Sequence, residues 1–115
     1  MTTLLVPETD LIKVYIAGPM RGIKNFNRKE FNKAEKMLRK LGIYDPINPA
    51  KLDKQSGMSD LELISKSGLR QAMKRDVDAL FECDAVFMLL GWERSEGALI
   101  EHRLATMLGM TILYQ

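Results

Sequence analysis

Two acidic residues stand where helical spacing calls for apolar ones. From Leu69 an apolar stripe runs through Leu69, Ala72, Met73, Val77 and Leu80, and Asp76 lies inside it. Asp78 falls outside the stripe with Lys74 and reads as a solvated surface charge. After Ser95, the residues Ala98, Ala105 and Leu108 define a second inward face, and Glu101 sits on it between Ala98 and Ala105. A carboxylate on a face of small apolar residues costs stability unless it is paired or used. Two such carboxylates suit work as an acid and a nucleophile. The alternative is a different helix rotation, in which both are boundary residues.

A third candidate is the loop Gly18-Pro19-Met20-Arg21-Gly22. It is neither a Walker A loop nor a GxGxxG fingerprint. Its glycines allow a ligand close to the backbone, and Arg21 can hold a phosphate with two parallel hydrogen bonds or simply be solvated. Ser95 has the right type and place to cap the helix that carries Glu101. A helix N-terminus also favours an anion, through free amides and the helix dipole.

These residues need a scaffold that gathers them. The first ten residues read as a polar lead-in. Leu11 to Ala17 is a short β-branched run ending at Gly18-Pro19, the pattern of a buried strand. Phe31, Ala34, Met37, Leu38 and Leu41 then recur at helical spacing, with Asn25 or Asn27 as candidate cap and Gly42 as the stop. Ile43-Tyr44 begins a second strand cut off by Pro46 and Pro49. Residues 50–68 are ambiguous: Asp60 to Ile64 suits a short helix, and Ser56-Gly57 and Ser67-Gly68 read as flexible joints. A helix from Leu69, a strand over Asp84 to Leu90, a helix from Ser95 stopped by Gly109, and a strand over Thr111 to Tyr114 complete the chain.

Strands alternating with helices specify an α/β fold, a minimal doubly wound (Rossmann-like or flavodoxin-like) three-layer sandwich. Right-handed crossovers give a four-stranded parallel sheet in the order 2-1-3-4. Ligands in such sheets lie at the carboxyl ends of the strands, where the order reverses. That places the site at two loops, Gly18 to Asn25 and Gly91 to Ser95.

Composition narrows the function classes. The 115 residues fit one domain, 1–115. With one cysteine and one histidine, no internal disulfide and no structural zinc site is expected, and Cys83 reads as a buried, inert thiol. No run nears the ~18 apolar residues of a membrane span, and the start lacks a signal-peptide layout. A cytoplasmic location and no membrane partner are expected. Seventeen basic residues against fifteen acidic are too evenly balanced to argue for nucleic acid.

Taken together, Val14-Tyr15-Ile16-Ala17-Gly18-Pro19-Met20-Arg21-Gly22, Asp76 with Asp84, and Ser95-Glu96-Gly97-Ala98-Leu99-Ile100-Glu101 resemble the nucleoside 2-deoxyribosyltransferase superfamily. That superfamily includes the 2′-deoxynucleoside 5′-monophosphate N-glycosidases. The likeness runs from Lys13 onward, and its specific part is the Ser-x-Gly-x-x-x-Glu element. It implies cleavage of the bond between a nucleobase and C1′ of deoxyribose. Glu101 would be the nucleophile forming a glycosyl-enzyme, Asp76 the acid at the departing base, and Tyr15 the hydroxyl that holds the nucleophile. Tyr15 as a plain core aromatic is the competing reading.

The resemblance also implies a ligand surface of Gly18, Pro19, Met20, Arg21, Gly22, Ser95, Gly97 and Trp92. Ser95 stands where the transferases carry an aspartate that contacts the sugar and where the monophosphate hydrolases carry a serine that contacts phosphate. With Arg21, it favours a 5′-monophosphate and water as acceptor. Trp92 can stack on a base or pack at an interface. His102 reads as a surface or subunit-contact residue, because neighbouring helix residues face about 100° apart. No metal or cofactor is implied. A homo-oligomer is expected, with Met107, Met110 or Phe26 as contacts. Better-known members carry a further strand beyond the one ending here, and a neighbouring subunit completes several of their sites. The alternatives are a nucleotide-binding or sensing module without turnover, deoxyribosyl transfer between bases, and hydrolysis of another N-glycoside such as NAD.

Overall fold

The computed structural model describes Pro7 and residues 10–115, so most of the lead-in expected over the first ten residues lies outside the described residues. The strands are β1 (Ile12–Ala17), β2 (Tyr44–Ile47), β3 (Ala85–Met88) and β4 (Thr111–Tyr114). Five α-helices lie among the described residues: α1 (Arg28–Lys40), α2 (Pro49–Gln55), α3 (Asp60–Ile64), α4 (Lys66–Phe81) and α5 (Glu96–Met107). The sheet is wholly parallel in the order β2-β1-β3-β4. This is the α/β sandwich and strand order expected from the alternation of elements.

Alternate residues of the two central strands feed opposite faces, as the pleat requires. Val14, Ile16, Ala85, Phe87 and Leu89 pack with Phe31, Ala34 and Leu38 of α1 and Ala50 of α2. Tyr15, Ala17, Val86 and Met88 pack with Leu80 of α4 and Ala98 and Ala105 of α5. Each large apolar side chain removed from water here contributes roughly 1.5–3 kcal/mol. The alternation therefore fixes Tyr15 on the α4–α5 side, the side of Asp76 and Glu101.

Several boundaries differ from the sequence expectation. β2 runs through Pro46 instead of ending before it. It is an edge strand, where a missing N–H costs the ladder little. The ambiguous stretch contains α2, whose start is set by Pro49 in the first turn and by Asn48, which accepts from the Ala50 amide. α1 begins at Arg28, and neither Asn25 nor Asn27 caps it with a side chain. Asn25, Phe26 and Asn27 form a left-handed turn (φ 53°, 54° and 60°), and the Asn27 side chain donates through Nδ2 to the Pro19 carbonyl at 2.9 Å. β3 is shorter than the run Asp84 to Leu90. Gly42 and Gly109 stop their helices with positive φ, as expected.

The joint at Ser67-Gly68 is not a joint. α4 starts at Lys66, capped by the Ser65 hydroxyl, and Gly68 lies buried in its first turn against the end of α3. Leu69 is 40% exposed, and Phe81 and Leu108 are also largely outside the core. Met107 is exposed, Met110 packs on the α4–α5 side of the sheet, and Phe26 lies under the Arg28 guanidinium. No helix among the described residues is long and apolar enough to cross a membrane.

A Cβ at Gly68 would stand 1.8 Å from the Glu62 carbonyl oxygen, a backbone atom that cannot swing aside. Gly68→Ala is expected to lower the unfolding free energy by about 1–3 kcal/mol in urea denaturation. An unchanged midpoint would remove this contact from the α3–α4 junction.

Candidate functional site

The two inward carboxylates of the sequence lie inside the fold, and the sheet supplies their partner. Glu101 is 6% exposed, on the same face of α5 as Ala98 and Ala105. Tyr15, the fourth residue of β1, is wholly buried and donates its hydroxyl proton to Glu101 Oε2 at 2.5 Å. Burial pushes the Glu101 carboxyl up to about 8; the Tyr15 hydrogen bond opposes this and the charge of Asp76 adds to it. Tyr15 is itself raised well above its ordinary range, by burial and then by the Glu101 and Asp76 charges. Of the two readings of Tyr15, the geometry favours the hydroxyl that holds Glu101.

Asp76 on α4 completes the cluster. Burial pushes it up to about 6, opposed by the Arg75 guanidinium beside it. Arg75 Nε and Nη2 reach Asp76 Oδ1 at 3.0 and 2.7 Å, and the same Nη2 reaches Asp53 Oδ1 on α2 at 2.6 Å. Burial works against the Arg75 charge, but the bonds to Asp53 and Asp76 outweigh it and raise its pKa. Arg75 and Asp53 escaped the sequence reading. Asp53 lies in the ambiguous stretch, and an arginine beside an aspartate on a helix gives no signal of its own. Asp78 is exposed, as its spacing indicated. Asp84 lies just before β3, at the opposite end of the sheet from the two loops, where its backbone pairs with Lys13 and Thr111.

A second feature occupies the carboxyl ends of the strands. A groove of about 480 Å³ is walled by the loops after β1 and β3, and Pro19, Arg21 and Ser95 contribute to it together with Arg94 and Gln115. Ser95 caps α5, its hydroxyl accepting from the Ala98 amide at 3.2 Å. Arg21 donates through Nη2 to the Leu63 carbonyl, which ties the first loop to α3. Arg28 reinforces that tie through Asp60 at 2.7 Å. Gln115 Oε1 accepts from the Leu90 amide at 2.7 Å and pins the far wall.

The other expected ligand residues lie outside the groove wall. Gly18 is buried where β1 passes β3, and a Cβ there would meet the Leu89 side chain at 2.7 Å. Met20 packs onto the α1 side of the core, and Gly22 is exposed. Gly97 faces the methyl end of Met73 on α4. Trp92 stacks on His102 at 4.3 Å, and His102 Nε2 meets the Tyr114 hydroxyl at 2.9 Å. The Trp92 ring is thus engaged within the chain, and His102 is a partly buried member of that stack. Tyr15, Asp76 and Glu101 also lie outside the groove wall, on the α4–α5 side of the sheet. Cys83 is buried, and burial pushes its thiol up to about 12. Among the described residues, no three potential metal-ligating side chains converge.

A family model described as Domain of unknown function (DUF4406) matches residues 12–114. The chain belongs to this family. The match starts with β1 and reaches the end of β4, so the family domain and the sandwich coincide. It includes the carboxylate cluster and every residue of the groove wall except Gln115. Comparison with curated proteins returns no match.

Folding raises the proton affinity of Glu101 from 4.5 to about 8 and of Asp76 from 3.8 to about 6. Both groups stabilise the fold when protonated, fully so below their unfolded values, and the contribution is lost as pH rises through the folded values. The unfolding temperature is therefore expected to fall between about pH 5 and about pH 8. In Glu101→Gln, neutral throughout, most of that slope should vanish. The same slope in both proteins would place the titrating group elsewhere.

Proposed function

We propose that this protein cleaves the N-glycosidic bond of a deoxynucleoside 5′-monophosphate, with Glu101 as nucleophile and water as acceptor. The observation that carries the reading is the Tyr15–Glu101 hydrogen bond inside the α4–α5 face, beside a second, partly buried carboxyl, Asp76. A lone buried carboxyl would be a defect. A carboxyl pair in which a tyrosine hydroxyl holds one member suits retaining glycoside chemistry.

In the reaction, a Glu101 oxygen attacks C1′ as the bond from C1′ to the base nitrogen breaks. Asp76 gives its proton to the departing base, whose nitrogen keeps the bonding electron pair. Tyr15 keeps the Glu101 side chain in one rotamer and stabilises its charge before attack. Water, deprotonated by Asp76, then displaces the glutamate from C1′ and returns the free enzyme with deoxyribose 5-phosphate. Ser95 and Arg21, both in the groove wall, support a phosphate at the N-terminus of α5. The ligand would span from this groove past Gly97 to Glu101. The same reading includes a self-associating protein in a cytoplasmic setting.

The chemistry needs one proton on the carboxyl pair, with Glu101 ionised and Asp76 protonated at the moment of attack. With Asp76 near 6 and Glu101 near 8, the proton of the singly protonated pair rests mainly on Glu101, so the reactive form is the minor of the two, and kcat/KM is expected to be bell-shaped with limbs close to those pH values. The direct test is incubation with each deoxynucleoside monophosphate and chromatography of the free base. Release is expected from the wild type, and a loss of about 10³-fold or more is expected in Glu101→Gln. No release from any of them by folded protein rejects the reading.

One observation favours a second reading, a nucleotide-binding module without turnover. The groove that suits an anion is walled by loops and does not include the three catalytic candidates. Calorimetry separates the two: binding of a monophosphate with no base released, unchanged in Glu101→Gln, selects the module.

A further inference from the structure

Consecutive helix residues do not face each other, yet Arg75 contacts Asp76 through both Nε and Nη2. The cause lies on another element. Asp53 of α2, with its side chain 8% exposed, draws the guanidinium inward, and Arg75 is its one ion-pair partner among the described residues. The two aspartates meet the same nitrogen, Nη2, at 2.6 and 2.7 Å. One cationic nitrogen thus serves two carboxylates from different helices, and its positive charge is shared between them.

We propose that Asp53 and Arg75 form a positioning pair that anchors Asp76 to α2 and sets how Asp76 and Glu101 divide a proton between them. The geometry gives the pair this leverage. Asp76 is faced by Arg75 from its own helix, by Asp53 from α2, by Glu101 from α5 and by the Tyr15 hydroxyl from β1. Arg75 is the one cation in that group. Arg75 favours the ionised form of Asp76, and Asp53 weakens that effect twice, by sharing Nη2 and by its own negative charge. α2 lies in the segment between β2 and α4, so its placement is coupled to the proton balance of the Asp76–Glu101 pair. Arg75 and Asp53 need not touch a substrate; they act through Asp76. The catalytic meaning of this rests on the reading of Asp76 as the acid, but the coupling itself does not.

The test is therefore a titration of the carboxyl groups, not an activity assay. Carbon-13 NMR of the full chain labelled at its aspartate and glutamate carboxyls follows Asp76, identified by loss of its signal in Asp76→Asn. Arg75→Gln is expected to move the Asp76 midpoint upward by about 1–3 pH units, since a partly buried carboxylate loses its cation. Asp53→Asn keeps the shape and an acceptor oxygen, removes the negative charge that competes with Asp76 for the guanidinium, and is expected to move the midpoint downward. Opposite directions support the pair. A structural role alone would open the cluster to water and move both variants down toward 3.8, the ordinary aspartate value; that result, or no movement in either, overturns the proposal. If Arg75→Gln does not fold, Arg75→Met replaces it: it keeps an apolar stem and removes the charge, so it should also raise the midpoint, and an unchanged one overturns the pair. Opposite shifts in a protein that releases no base would uphold the pair and reject the glycosidase reading.

Discussion

A carboxyl group kept out of water between a helix and a sheet must be neutral, paired or hydrogen-bonded, and the centre of this molecule is organised around that requirement. Glu101 satisfies it with the Tyr15 hydroxyl, which only a residue on the α4–α5 face of β1 can supply. The small residues Ala98 and Ala105 let α5 approach the sheet closely enough for that bond. Asp76 then enters as a second acid in the same low-dielectric space, and each carboxyl makes the other harder to ionise. Arg75 relieves part of that cost and passes part of it to Asp53. The core of this face is in effect a charge problem solved by five side chains from four elements.

The opposite face solves a plainer problem. Phe31, Ala34 and Leu38 pack on Val14, Ile16 and Phe87 without polar groups between them. Its one buried acid, Glu35, lies at the rim, where Arg39, Lys51 and Asn48 donate to it. Burial raises that carboxyl, but the Lys51, Arg39 and Asn48 bonds outweigh it and hold it below its ordinary value. Glu35 thus has cations at solvent-exposed positions and stays charged, tying α1 to α2. Glu101 has a neutral donor and a neighbouring anion, so burial wins. The same residue type is held charged on one face and driven toward its protonated form on the other because the partners differ in charge.

Much of this was legible in the sequence. Strand order followed from alternation and crossover handedness, and Glu101 and Asp76 were visible as acids on apolar stripes. Ser95 was visible as a cap because cap chemistry is local. The failures share a cause. Pro46 looked like a strand breaker because its edge position, which excuses a missing donor, is a property of the sheet. Gly68 looked like a joint because the close approach of the Glu62 carbonyl is set by α3. Trp92 was open between a base and an interface, and its contacts with His102 and Tyr114 were not legible because those residues come from α5 and β4.

The sequence by itself determined the element types, their order, the parallel sheet and the presence of two acids on inward faces. Periodicity and cap chemistry depend on neighbours a few residues away, so they can be read along the chain. Only the tertiary structure decided that Tyr15 meets Glu101, that Asp53 reaches Arg75, and that the groove at the strand ends stands apart from the carboxylate cluster. Those are matters of distance between elements dozens of residues apart, and distance across a core depends on packing that no local pattern encodes.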